Sequence, residues 1–158
     1  MAEWYVRISR ADNFDEIPDF WDYYQQEFEK ARDDAALFGS IEQASQKLPG
    51  QTLKCWVQLQ DIESVLEYLN IQRRRLVIGK MKHFMTAVDQ KSNRIEATKW
   101  SEGDPEVVNL DIVINDIALL RNKWLGLHQA LQGKSFSINN IVKLRVAGLE
   151  DEQLFAPR

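Results

Sequence analysis

From Asp19 onward the apolar residues recur at steps of three and four. Phe20, Tyr24, Phe28, Ala31, Ala35 and Phe38 form one stripe, which predicts an amphipathic helix over 19–38. Before it, Trp4, Val6 and Ile8 alternate with Tyr5, Arg7 and Ser9, predicting a short strand or extended arm. The acidic, turn-rich stretch from Ala11 to Pro18 predicts a loop. Gly39 interrupts the helical pattern, and Ser40-Ile41-Glu42-Gln43 offers a capping box where a helix restarts or bends. Pro49-Gly50 then reads as a stop.

Thr52 suits the N-cap of the next element. Between Leu53 and about Thr98 there is no proline and one glycine. Leu59, Ile62, Leu66, Leu69, Leu76 and Phe84 fall near a heptad seam that Arg73 and Lys80 interrupt. Unbroken, such a helix would reach about 68 Å, with Gly79 as a place to kink. Ser101-Glu102-Gly103-Asp104-Pro105 is the clearest boundary, with Asp104 as N-cap and Pro105 as first helical residue. Leu110, Val113, Ile114, Ile117, Leu120, Trp124, Leu127 and Leu131 then line one wide face, and Gly133 stands where a helix would end. A short last helix is expected from the N-cap Ser137 to Gly148, stapled by Phe136 and Ile141 and burying Ile138, Ile141, Val142 and Leu144. The pattern predicts an all-α chain, a long antiparallel helical hairpin with a short C-terminal helix and an N-terminal helical extension. It divides into an acidic arm and helix over 1–50, a hairpin core over 51–148 and a loose tail over 149–158. The apolar face of 105–132 is wider than one neighbour would cover, which adds the expectation of a homo-oligomer.

Composition narrows the class. A chain of 158 residues, 44% hydrophobic and 28% charged, suits one globular domain. No apolar run nears the roughly 20 residues that span a bilayer, so no membrane partner is expected. The N-terminus lacks a basic segment followed by an apolar one, and Cys55 is the sole cysteine, so a reduced, cytoplasmic setting is expected.

No catalytic constellation is complete, so the chain is read as non-enzymatic, with no metal and no cofactor. Gly133-Lys134-Ser135 matches the end of a phosphate-binding loop, but His128 stands where its other glycine belongs. His83 and His128 form no metal-ligand pattern, and Cys55 has no histidine near it in sequence. The acids Asp12, Asp15, Glu16 and Asp19 lack the spacing of a calcium loop, and Asp111 and Asp116 are five apart, off one helical face.

Charge is where binding chemistry surfaces. The net charge is −4, yet residues 71–100 hold eight basic residues against two acidic ones. Arg73, Arg74 and Arg75 are followed by Lys80 and Lys82, then Lys91, Arg94 and Lys99. Arg73 and Lys80 share one stripe, Arg75 and Lys82 another. Cations inside an apolar seam demand partners. Either they meet the acids of the first helix (Glu27, Glu29, Asp33, Asp34), giving a salt-bridged surface, or they face a polyanion. His83, Phe84 and Trp100 lie close enough in sequence to stack on unpaired bases, unless the core takes them.

The C-terminal part carries a family resemblance. Asp104-Pro105-Glu106-Val107-Val108-Asn109-Leu110-Asp111 is followed by a helix, Gly133, then Phe136-Ser137-Ile138-Asn139-Asn140-Ile141 and Arg145. This resembles the UvsY family of phage recombination mediators, with its acid-rich turn, apolar helix and Phe-x-Ile-Lys-x-x-Ile segment followed by Arg. Lys80-Met81-Lys82 is similar to that family's Lys-x-Arg DNA-contact motif. The likeness spans roughly residues 70–148. Asn139 replaces the usual Lys, Phe84-Met85-Thr86-Ala87 replaces a Tyr-Tyr-Ser-Gly stretch, and the first 50 residues have no counterpart. The resemblance implies a mediator that binds single-stranded DNA, assembles into a ring-like oligomer, and loads a RecA-like recombinase while displacing the single-strand-binding protein. It implies phosphate contacts at Lys80 and Lys82, extended by Arg73, Arg74 and Arg75 and joined by Lys143 and Arg145. The acidic 12–34 region would meet the recombinase. The competing expectation is a helical adaptor, such as a phage assembly or packaging subunit or a host-defence inhibitor.

Overall fold

The computed structural model describes residues 3–11, 14–36, 40–87 and 94–148, and among these there is no strand. Five helices follow in order: α1 (Glu3–Ala11), α2 (Ile17–Arg32), α3 (Ile41–Ala87), α4 (Arg94–Glu102) and α5 (Pro105–Val146). Single 3₁₀ turns flank α2 on both sides (Phe14–Glu16 and Asp33–Ala35). The chain is all-α.

Helices α3 and α5 form the antiparallel hairpin, each roughly 60–70 Å long. Matched pairs run along it: Lys80 with Asp104, Arg73 with Asp111, Glu63 with Arg121, and the Cys55 thiol with the Trp124 carbonyl. The core lies along the same seam, with Leu59, Ile62, Val65 and Leu69 of α3 buried beside Ile117, Leu120, Trp124 and Leu131 of α5. Helix α2 closes over it, setting Tyr24 and Phe28 edge-on to Trp124 at centroid separations of 6.0 and 5.8 Å.

Several local expectations differ from the structure, each for a physical reason. Residues 3–9 are helical, because Trp4 and Ile8 one turn apart face the same neighbours. Ile8 is fully buried and Trp4 packs edge-on to Phe20. Pro49-Gly50 does not stop the chain; α3 runs through it. Burial of Ala44, Leu48, Cys55 and Leu59 on both sides outweighs a proline cost of about 3 kcal/mol. Thr52 is therefore no cap, and its hydroxyl donates back to the Leu48 carbonyl at 2.8 Å. Gly133 and Ser137 lie inside α5, so the separate C-terminal helix is absent. Phe136 is exposed rather than stapled, and of the four residues assigned to that helix's core only Ile138 is buried. At the other end, the expected rod to Thr98 is broken. Helix α4 folds back on α3, with the Thr98 hydroxyl 3.6 Å from Met81 Sδ and Trp100 beside Phe84.

Three boundaries match the sequence. Asp104 caps α5, accepting from the Glu106 N–H at 3.0 Å. Ser40 Oγ accepts from the Gln43 N–H at 3.2 Å. Gly148, at φ 73°, supplies the left-handed residue that ends α5.

Candidate nucleic-acid interface

The seven cations named from the sequence have three different environments. Arg73, Arg74 and Lys80 already hold carboxylates. The Arg73 guanidinium grips Asp111 through Nε and through Nη2, the latter at 3.0 Å from Oδ2. Lys80 Nζ lies 3.1 Å from Asp104 and 3.0 Å from Glu106. Arg74 reaches Glu67 on its own helix at 3.0 Å, both side chains exposed. The hydrogen bond to Asp111 raises the Arg73 pKa, and those to Glu106 and Asp104 raise that of Lys80. The Asp104 carboxyl, partly desolvated, is still held below its ordinary value by the Glu106 N–H and by Lys80.

The acids of α2 and of the 3₁₀ turn after it are not the partners of this basic window. Glu27 takes Lys30 and Lys54, Glu29 takes Arg32, and Asp34 takes the Gln51 amide. A sequence signal for the true partners was present. Arg73 and Lys80 are seven apart, and so are Asp104 and Asp111. In an antiparallel hairpin two such heptad pairs register against each other.

Arg75 and Lys82 form the second group. They are exposed, share one stripe of α3, and have no ion pair among the described residues. Ile78 and Met85 lie on that stripe and are also exposed. Arg94 and Lys99 of α4 are exposed as well, and Trp100 is 45% exposed with its ring 6.1 Å from Phe84. A groove of about 520 Å³ opens beside Arg75, floored by Leu76, Gly79 and Leu110. Lys91 lies outside the described residues.

Lys143 and Arg145 are the third group, exposed in the last turn of α5. They stand some 55 Å along the helix from the Lys80 level, so the hairpin does not bring them to the other cations.

The remaining polar candidates are occupied structurally. Lys134 is buried, and its Nζ donates to the Asp34 carbonyl at 2.7 Å, closing the turn after α2. His128 is buried against Trp56, with Nε2 3.1 Å from the Gln132 amide. Burial pushes the Cys55 thiol up to about 11, which keeps it protonated and inert at neutral pH. Glu16 pairs with Arg7 at 2.7 Å, and Asp12 lies outside the described residues. Among the described residues no three His, Cys, Asp or Glu side chains gather where a metal ion could sit. No described helix is long and apolar enough to cross a membrane. No protein-family model, curated protein or solved structure matches the chain.

Proposed function

We propose that the protein is a non-enzymatic mediator of recombination that binds single-stranded DNA in the host cytoplasm and acts beside a RecA-like recombinase and a single-strand-binding protein. One observation carries the reading: Arg75 and Lys82 on α3 and Arg94 and Lys99 on α4 are exposed and have no ion pair among the described residues, and Trp100, next to Lys99 on α4, is half-exposed. Unpaired cations release counterions when they meet phosphates, and an exposed indole offers a stacking surface to any base. The resemblance over residues 70–148 supports the same reading. The contact surface is thereby narrowed to the α3–α4 end, with Arg73 and Lys80 acting as internal struts of the hairpin.

Fluorescence anisotropy with a labelled oligothymidylate tests it. The full chain should bind at low salt and weaken steeply as salt rises. The pair Arg75→Ala and Lys82→Ala should lower the logarithmic salt slope by about 1.4, at about 0.7 per phosphate contact. Arg73→Ala should leave that slope unchanged. A folded sample that captures no oligonucleotide at low salt refutes the reading. The second reading, a helical adaptor without DNA affinity, is favoured by the internal pairing of Arg73, Arg74 and Lys80, and it would then stand.

A further inference from the structure

Helix α5 carries a second seam on its solvent side. Opposite the buried Leu120, Trp124 and Leu127, positions 108, 112, 115, 119, 122, 126, 129, 133 and 136 repeat at alternating steps of four and three. All nine are exposed and none is charged. Nine surface positions ordinarily hold about three charges. An a/d spacing kept over that length is the pattern of a helix that meets another helix.

Gly126 and Gly133 sit on this face. A Cβ at either would meet nothing within 4 Å, so no packing inside the chain requires a glycine there. Glycine within a helix lowers its stability relative to alanine, and here no contact inside the chain offsets the loss. A glycine-lined helix face is suited to the close approach of another element.

The order of residues along the face specifies which element. Val108, Ile112 and Leu119 occupy the first half, and both glycines occupy the second, with Phe136 at its end. A two-fold axis near Asn122 lays Leu119 and Ile112 of one copy over the surface at Gly126 and Gly133 of the other, and sets Val108 against Phe136. It also brings Asn115 and Gln129 of opposite copies together; the Asn122 carbonyl already accepts from Arg121 at 3.0 Å, leaving its NH₂ free to donate across the axis. Parallel pairing would instead set glycine against glycine and leave a gap. Val108, Ile112, Leu119 and Phe136 are 43, 55, 59 and 71% exposed, roughly 450 Å² per copy. Doubled, and with the intervening amides and glycine backbone added, the contact reaches the roughly 1,200 Å² of specific interfaces.

We propose that α5 pairs antiparallel with the α5 of a second copy through this uncharged face, forming a two-fold dimer. The pairing requires no nucleic acid and stands independently of the DNA-binding reading. Sedimentation of the full chain without oligonucleotide tests it. A dimer mass is expected at micromolar concentration. Leu119→Glu, which buries two symmetric charges, should raise the dissociation constant about 100-fold or more while helical circular dichroism is retained. Gly126→Ala with Gly133→Ala should raise the melting temperature of the monomer yet weaken the dimer. In a mixture of Leu119→Cys and Gly126→Cys chains, the antiparallel pairing predicts the mixed disulfide over either symmetric one. A chain that stays monomeric to about 100 µM overturns the proposal. An assembly mass unchanged by Leu119→Glu, or a dominant 119–119 disulfide, overturns it equally.

Discussion

Asp61 stands at the junction of three helices, and Tyr24→Phe isolates what it contributes. Asp61 is 6% exposed. Its Oδ2 accepts from the Tyr24 hydroxyl at 2.7 Å, and its Oδ1 from the Tyr5 N–H at 3.3 Å near the start of α1. Removing the hydroxyl opens almost no cavity but strips Oδ2 of its donor. A hydrogen bond to a charged group contributes about 1.5–3 kcal/mol, and a buried acceptor left unpaired makes the loss fall in that range. We expect about 2 kcal/mol, which for a chain of this length lowers the melting temperature by about 4–8 °C. Thermal unfolding followed by far-UV circular dichroism measures it. Adding Asp61→Leu should recover part of the loss, because the orphaned carboxylate goes with it. The pH dependence has a definite sign. Burial, then the bond to Asp61, raises the Tyr24 pKa above its ordinary value, so the neutral phenol is the form that folding favours. That contribution is complete below pH 10 and is lost as pH climbs above it. Tyr24→Phe should therefore be less sensitive to alkali than the parent above pH 10. A melting temperature within about 1 °C of the parent, or strictly additive losses in the double variant, refutes the reasoning.

Two further predictions concern α3. The Cys55 thiol, raised by burial to about 11, stabilises the fold below pH 9 and ceases to as pH rises from 9 to 11. Cys55→Ala should flatten the alkaline fall in stability across that window, and the parent thiol should react with a disulfide reagent at pH 8 only on unfolding. Pro49→Ala should raise the melting temperature by several degrees, since α3 is continuous through residue 49 and the substitution restores a helical donor. A lowered melting temperature would mean that the proline is matched to a helix end rather than carried inside a helix.

Periodicity by itself determined the class of this protein. The three-and-four spacing of Ile117, Leu120, Trp124, Leu127 and Leu131 and the Asp104-Pro105 start follow from local geometry, and both are found in α5. The clustering of cations in 71–100 was equally legible. Their partners were legible only as a matched spacing, seven residues between Arg73 and Lys80 and between Asp104 and Asp111, because the register in which α5 lies against α3 decides whether those pairs meet, and no local rule states it. The same holds for the helix ends. Pro49-Gly50 and Gly133 are stop signals worth only a few kcal/mol, and long-range burial of Leu48, Cys55, Leu131 and Ile138 on either side overrides them. Tertiary packing likewise turned residues 3–9 into a helix, since Ile8 and the Tyr5 N–H find their partners on segments far away in sequence. Local spacing thus fixes where helices can form, while the contacts between them decide where they end and which charges stay free.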